Sequence, residues 1–185
     1  MPIVTSLLLP EPARRTWTDH IGTIKELLYK ANPDARLLVG GGTVLAARWE
    51  HRQSMDIDLV LPEIDHLNEW MEGRRLDVKA RTGGQFEKAD PTHITIAVGH
   101  GRLDIACFDP RPPGLEVEQD VMGEACHVMS NAQILRGKVE RTRTAPTRRD
   151  AYDLGVAARL DATAVAEAVN AVPGRAILKC LRNMA

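Results

Sequence analysis

The stretch that decides the fold runs Gly40-Gly41-Gly42-Thr43-Val44-Leu45 and then, after Ala46-Ala47-Arg48-Trp49-Glu50, His51-Arg52-Gln53-Ser54-Met55-Asp56-Ile57-Asp58-Leu59-Val60-Leu61. Leu37-Leu38-Val39 before the glycines reads as a short buried strand, and the glycine triplet as its turn. Thr43 is then expected to cap a short helix ending near Trp49. From Met55 to Leu61, Ile57, Leu59 and Leu61 alternate with Asp56, Asp58 and Val60, the period of a strand. Side chains two apart on a strand point the same way, so Asp56 and Asp58 should project from one face, where paired carboxylates repel each other and favour a hard cation between them. Glycines let a backbone approach a phosphate, and a helix start offers it unpaired amides. A solvated strand face is the competing reading of Asp-x-Asp alone; the glycine turn beside it favours a metal-and-polyphosphate site.

Outward from this centre, Trp17 to Ala31 carries Ile21, Ile24, Leu28 and Ala31 at helical spacing, with Pro33 just beyond. His66 to Glu72 is expected to be helical. Leu76–Arg81, Ile94–Val98 and Leu103–Phe108 read as three more strands. Beyond Pro112-Pro113-Gly114 the pattern becomes helical: Ser130-Asn131-Ala132-Gln133 has the form of a capping box, further helices are expected near Thr147 and Thr163, and a last one after Pro173-Gly174. The expected class is α+β, a mixed sheet with flanking helices and a C-terminal helical bundle. Residues 1–128 are expected to form an α/β core and 129–185 a helical part packed tightly on it.

The 185 residues make about one domain's worth of chain, and 24 Lys+Arg against 25 Asp+Glu leave no global basic field for nucleic acid or membrane. Any such partner must use a local patch, and residues 136–149, with six basic side chains and one acid, provide the pronounced one. A solvated helix surface is its other reading. Cys107, Cys126 and Cys180 lack the Cys-x-x-Cys spacing of a zinc or redox site and read as reduced, cytosolic thiols. Neither a signal peptide nor a membrane span is evident, so a cytoplasmic protein is expected. Asp104, in Arg102-Leu103-Asp104-Ile105, shares strand parity with Ala106 and Phe108 and from this pattern can be a partly buried, hydrogen-bonded aspartate; Asp109 beside Pro110 reads as a turn residue. Lys138 borders the apolar stripe of Leu135 and Val139, able to reach into a cleft or to snorkel to solvent. Asp150 and Asp153 share a helix face, where capping or pairing with Arg148 or Arg149 is the plain alternative to a site role.

The residues Gly41-Gly42-Thr43-Val44-Leu45 and His51-Arg52-Gln53-Ser54-Met55-Asp56-Ile57-Asp58-Leu59 resemble the GG[ST]-x-L … HR-x-S-x-D-I-D-L signature of the AbiEii/MenT-type nucleotidyltransferase toxins of type IV toxin–antitoxin pairs, within the DNA-polymerase-β-like nucleotidyltransferase superfamily. Lys138 and Arg149-Asp150-Ala151-Tyr152-Asp153-Leu154 fit later motifs of that family more loosely. The resemblance implies a polymerase-β-like fold and transfer of a nucleoside monophosphate from an NTP to an acceptor, with release of pyrophosphate. It implies Mg²⁺, or Mn²⁺, held by Asp56, Asp58 and Asp104. Gly41, Gly42, Thr43, Arg52, Ser54 and Lys138 would contact the nucleotide, and Asp150 or Asp153 would orient nucleotide or metal. The implied acceptor is RNA, in first place the 3′ end of tRNA, and the implied partner is a cognate antitoxin acting on DNA, by contact, or by modifying a residue such as Ser54. A small-molecule nucleotidyltransferase of the aminoglycoside-modifying kind and a catalytically silent nucleotide-binding protein are the other readings.

Overall fold

The computed structural model describes residues 6–31, 36–62, 67, 71, 73–107, 116–142 and 147–173. Two compact units divide the chain: Met1–Pro110 with Glu116–Val128, and Arg111–Leu115 with Met129–Ala185. The first contains helix α1 (Ala13–Ala31), strand β1 (Leu38–Gly40), helix α2 (Gly41–Trp49), strand β2 (Asp56–Val60), helix α3 (Arg75–Thr82) and strands β3 (Gln85–Asp90), β4 (His93–Val98), β5 (Gly101–Ala106), β6 (Val117–Val121) and β7 (Glu124–Val128). The second contains helices α4 (Asn131–Thr142), α5 (Arg148–Leu160) and α6 (Ala162–Asn170).

All seven strands join one mixed sheet in the order β3-β4-β5-β2-β1-β7-β6. β2 runs parallel to β5 and antiparallel to β1, and β1 is parallel to β7. Strand alternation sorts the sheet's two faces. Ile57 and Leu59 of β2, Leu103 and Ile105 of β5, and Ile94 and Ile96 of β4 are all buried on one of them. Helix α1 contacts β2 and β5 and buries Ala13, Trp17, Ile21, Ile24 and Leu28, the three-and-four spacing that a helix needs to present one apolar stripe. The opposite face of β2 and β5 carries Asp56, Asp58, Arg102 and Asp104.

Two expectations need correction, and three strands had no expectation. Leu76–Arg81 lies in helix α3 rather than a strand: its buried residues Val78 and Thr82 are four apart, Asp77 sits in the first turn, Lys79 and Arg81 sit in the last, and Gly83 ends it in the left-handed conformation. Thr43 does not cap α2. That helix begins at Gly41 with Gly40 in the cap position and no side-chain cap, and Thr43 lies inside the first turn. Strands β3, β6 and β7 carry no clear apolar alternation; β3 is an edge strand with no buried residue, and β6–β7 is a hairpin turned by Met122 and Gly123, both at positive φ.

The helical unit matches its signals more closely. Gln133 N donates to Ser130 Oγ at 3.2 Å while Ser130 N donates to Gln133 Oε1 at 2.9 Å, the reciprocal pair of a capping box. The Thr147 hydroxyl accepts from Asp150 N at 3.0 Å and starts α5; Asp161 accepts from Ala164 N at 3.1 Å and starts α6. Leu67 and Met71 are helical; the rest of the expected 66–72 helix is not among the described residues, nor are Asp109, Cys180 and the helix expected after Pro173-Gly174. No helix among the described residues is long and apolar enough to cross a membrane.

Candidate active site

The site begins where β1 turns directly into α2. Gly40 pairs with Asp58 across β1–β2, and Gly41 takes φ +68°. A Cβ on Gly41 would lie 1.9 Å from Asp58 Oδ2, so the carboxylate sits over the glycine at the first residue of the helix. Only glycine meets both demands, a left-handed φ and a carboxylate in contact with its Cα. Arg52 fastens the turn from outside, donating from Nη2 to Gly42 O and from Nη1 to Gln53 O, each at 3.0 Å.

Behind the turn, Thr43 and Ser54 are buried side by side with their hydroxyl oxygens 2.6 Å apart. Thr43 Oγ1 also donates to the backbone carbonyl of Asp56. A hydroxyl has one proton to give, so the Ser54 hydroxyl donates to Thr43 and the chain runs Ser54 to Thr43 to Asp56. Ser54 O in turn accepts from Ala13 N at 3.0 Å, tying α1 to the approach of β2. These two hydroxyls, expected at the nucleotide, brace the start of the carboxylate strand.

The parallel register of β2 and β5 sets Asp56 beside Arg102 and Asp58 beside Asp104. Asp56 is 8% exposed, and its Oδ1 accepts from Arg102 Nε at 3.0 Å. Asp104 Oδ1 accepts from Thr95 Oγ1 at 2.7 Å and lies 3.4 Å from His93 Nε2. Burial alone would raise the Asp104 pKa, but the hydrogen bonds from His93 and Thr95 and the charges of His93 and Arg102 outweigh it and hold that carboxyl below the usual range. The Asp56 hydrogen bond pushes the Arg102 guanidinium up. Three carboxylates and one arginine thus share the polar face of two neighbouring strands. Oxygen donors of this kind suit a hard divalent cation, although among the described residues no three His, Cys, Asp or Glu side chains converge closely enough to hold one as they stand.

Lys138, Asp150 and Asp153 come together in the helical unit. Lys138 Nζ lies 2.7 Å from Asp150 Oδ1 and 2.8 Å from Asp153 Oδ2, with the lysine 3% and Asp153 0% exposed. Arg141 Nε reaches Asp150 Oδ2 at 3.1 Å. Burial would raise the Asp150 pKa; the hydrogen bond and charge of Lys138, the charge of Arg141 and the Thr147 contact hold it below the ordinary range instead. The partners of Asp150 are therefore Lys138 and Arg141, where the plain sequence alternative named Arg148 or Arg149. In the basic segment, Arg136 bonds Glu140 at 3.0 Å, so Arg136, Lys138 and Arg141 are paired within the unit; Arg148 is exposed.

Sequence reasoning passed over Arg102, Thr95 and His93. Arg102 lies 46 residues from Asp56, and only the β2–β5 register brings the two together.

Residues 25–175 match the family described as nucleotidyl transferase AbiEii toxin, type IV TA system. The solution structure of the antibiotic-resistance factor ANT(2″)-Ia is similar with a TM-score of 0.58 at 19% identity, over 89% of this chain and 96% of that one. A putative nucleotidyltransferase from H. pylori is similar with a TM-score of 0.45 at 16% identity, over 88% of this chain and 80% of that one. No curated protein matches the sequence. With the glycine turn, the acidic face and a family match over most of its length, this chain belongs to the AbiEii nucleotidyltransferase toxin family, and its α+β fold is that of the polymerase-β-like nucleotidyltransferases.

Proposed function

We propose that this nucleotidyltransferase moves a nucleoside monophosphate from an NTP to an RNA acceptor, the 3′ end of a tRNA, as the toxin of a pair restrained by a cognate antitoxin protein. The observation that supports the reading is the acidic face: Asp56, Asp58 and Asp104 on neighbouring parallel strands, beside a glycine turn that opens a helix. Asp56, Asp58 and Asp104 would hold a divalent ion, Mg²⁺ or Mn²⁺, and that ion supplies neutralisation of phosphate charge. Gly41 lets Asp58 sit against the turn, and the first amides of α2 would meet the triphosphate there, with Arg52 fixing the turn and Thr43 and Ser54 bracing it from within. Asp104, fixed on one oxygen by Thr95, takes the proton of the acceptor hydroxyl. The acceptor oxygen, its proton given up, bonds the α-phosphorus as the bond from that phosphorus to the bridging oxygen breaks, and pyrophosphate leaves with the electron pair.

Incubating the purified protein with labelled NTPs, Mg²⁺ and total tRNA tests the proposal. Label should pass to RNA with wild type, and Asp56→Ala should lower the rate at least ~1,000-fold, as expected when an electrostatic element of phosphoryl transfer is removed. No transfer by wild type, or equal transfer by the variant, overturns it. The fold likeness to an antibiotic-resistance factor keeps a small-molecule acceptor as the second reading. Induction in a growing culture separates the two: a toxin arrests growth, whereas a resistance enzyme protects cells from the drug.

A further inference from the structure

The acidic face already contains a cation of its own. Asp56 is almost fully buried, and a buried carboxylate without a partner is strongly disfavoured. With Asp58 two residues along the strand and Asp104 beside Asp58 on β5, the three negative charges raise one another's energy whenever the face lacks a counter-charge. Arg102 supplies counter-charge to Asp56 through a single bond from Nε to Oδ1, with half of its side chain, 50%, in solvent, while His93 lies 3.4 Å from Asp104. Lys138 is held differently, enclosed at 3% exposure by two carboxylates. A singly bonded, half-exposed arginine can leave for water at low cost, whereas an enclosed lysine cannot.

We infer that Arg102 is a displaceable counter-ion of the metal site: it holds Asp56 while no divalent ion is bound, yields Asp56 Oδ1 when one enters, and thereby sets the ion concentration at which the site fills. The inference rests on the reading of Asp56, Asp58 and Asp104 as metal ligands. Arg102 acts through Asp56 and is a positioning residue. Two consequences follow. Removing its charge destabilises the metal-free protein, because three carboxylates are left with less compensation. Removing its charge also tightens metal binding, because the ion no longer competes with a guanidinium. A residue that only supported the fold would produce the first effect without the second.

The experiment uses the full chain and Mn²⁺, with free ion followed by electron paramagnetic resonance and unfolding by thermal melts with and without Mn²⁺. Relative to wild type, Arg102→Gln should bind Mn²⁺ about five- to twentyfold more tightly, the size expected for removing one nearby, partly screened like charge. Its metal-free melting temperature should be lower, and the rise on adding Mn²⁺ larger. Arg102→Lys, which keeps the charge, should return the dissociation constant to within about threefold of wild type. Unchanged or weaker Mn²⁺ binding by Arg102→Gln, or a melting temperature lowered equally with and without Mn²⁺, overturns the inference. If wild type binds Mn²⁺ and transfers label while Arg102→Gln binds no more tightly, only the role of Arg102 fails. If neither protein binds Mn²⁺, the metal-dependent reading fails with it.

Discussion

The two charged clusters of this protein are built from similar parts and differ in burial. In the helical unit, Lys138 meets Asp150 and Asp153, and Arg141 meets Asp150, with the lysine and both aspartates shut away from water. On the sheet face, Asp56, Asp58 and Asp104 meet Arg102, whose side chain is half exposed. Charge closure inside one cluster leaves little for a ligand to add, and the cluster's energy goes into pinning α4 to α5. In the other, the arginine on Asp56 is half exposed and the histidine beside Asp104 lies 3.4 Å away, so their places are open to replacement by a cation, as a site for metal-bound polyphosphate requires. Composition does not separate the clusters; burial does.

Breaking the closed cluster should have the largest effect on stability. Lys138→Met removes the buried cation that Asp150 and Asp153 share, a loss of about 3–5 kcal/mol in urea unfolding. A loss under 1 kcal/mol would mean that the network is less closed than its geometry, and would put Lys138 in the same class as Arg102. Next in size is Gly41→Ala. Its Cβ would overlap Asp58 Oδ2 in a left-handed backbone, so about 2–4 kcal/mol of strain is expected. Because relief can come only by moving Asp58 or the turn, nucleotide transfer should also fall at least ~100-fold. Full activity in Gly41→Ala would detach the acidic face from the chemistry.

How much of this could be read before the structure depends on sequence distance. The glycine turn and Asp56-x-Asp58 were legible because both are local patterns, the two carboxylates being two residues apart on one strand. The capping box at Ser130 and Gln133 was legible for the same reason. Arg102 was not, since strand register alone brings it to Asp56, and Thr95 reaches Asp104 across a different, antiparallel pairing. The closed network was half legible. Lys138 at the border of an apolar stripe and two aspartates on one helix face are local facts, but nothing in the spacing says that the lysine turns inward onto them. Helix α3 was misread because Leu76, 82% exposed, counted as a core position in a strand pattern although the buried residues Val78 and Thr82 keep helical spacing. Edge strand β3 had no apolar signal to read, because it buries none of its side chains.

A smaller effect separates the clusters by acidity. The Asp150 carboxyl is held below its ordinary range in the folded protein, so it contributes stability that is present above the unfolded value, about 4. That contribution is lost as pH falls through the folded value. Unfolding free energy measured downward from pH 5 should therefore decline in wild type, and decline less steeply in Asp150→Asn, which starts lower at neutral pH. Equal slopes would show that Asp150 titrates alike in both states and that Lys138 does not hold it as a carboxylate.

The smallest effect comes from the pair with the best local geometry. Arg81 grips Glu26 through both guanidinium nitrogens, Nη1 to Oε1 at 3.1 Å and Nη2 to Oε2 at 2.6 Å, whereas Arg102 has one bond to Asp56. If hydrogen-bond count set the energy, Arg81→Ala would matter more than Arg102→Gln. Both ends of the Arg81–Glu26 pair are open to solvent, where water replaces either partner and salt screens the attraction. Arg81→Ala should leave the melting temperature unchanged within error, while Arg102→Gln lowers it in the absence of metal. A reversed order would mean that geometry outweighs burial in this chain, and the contrast drawn between the closed and open clusters would then lose its physical basis.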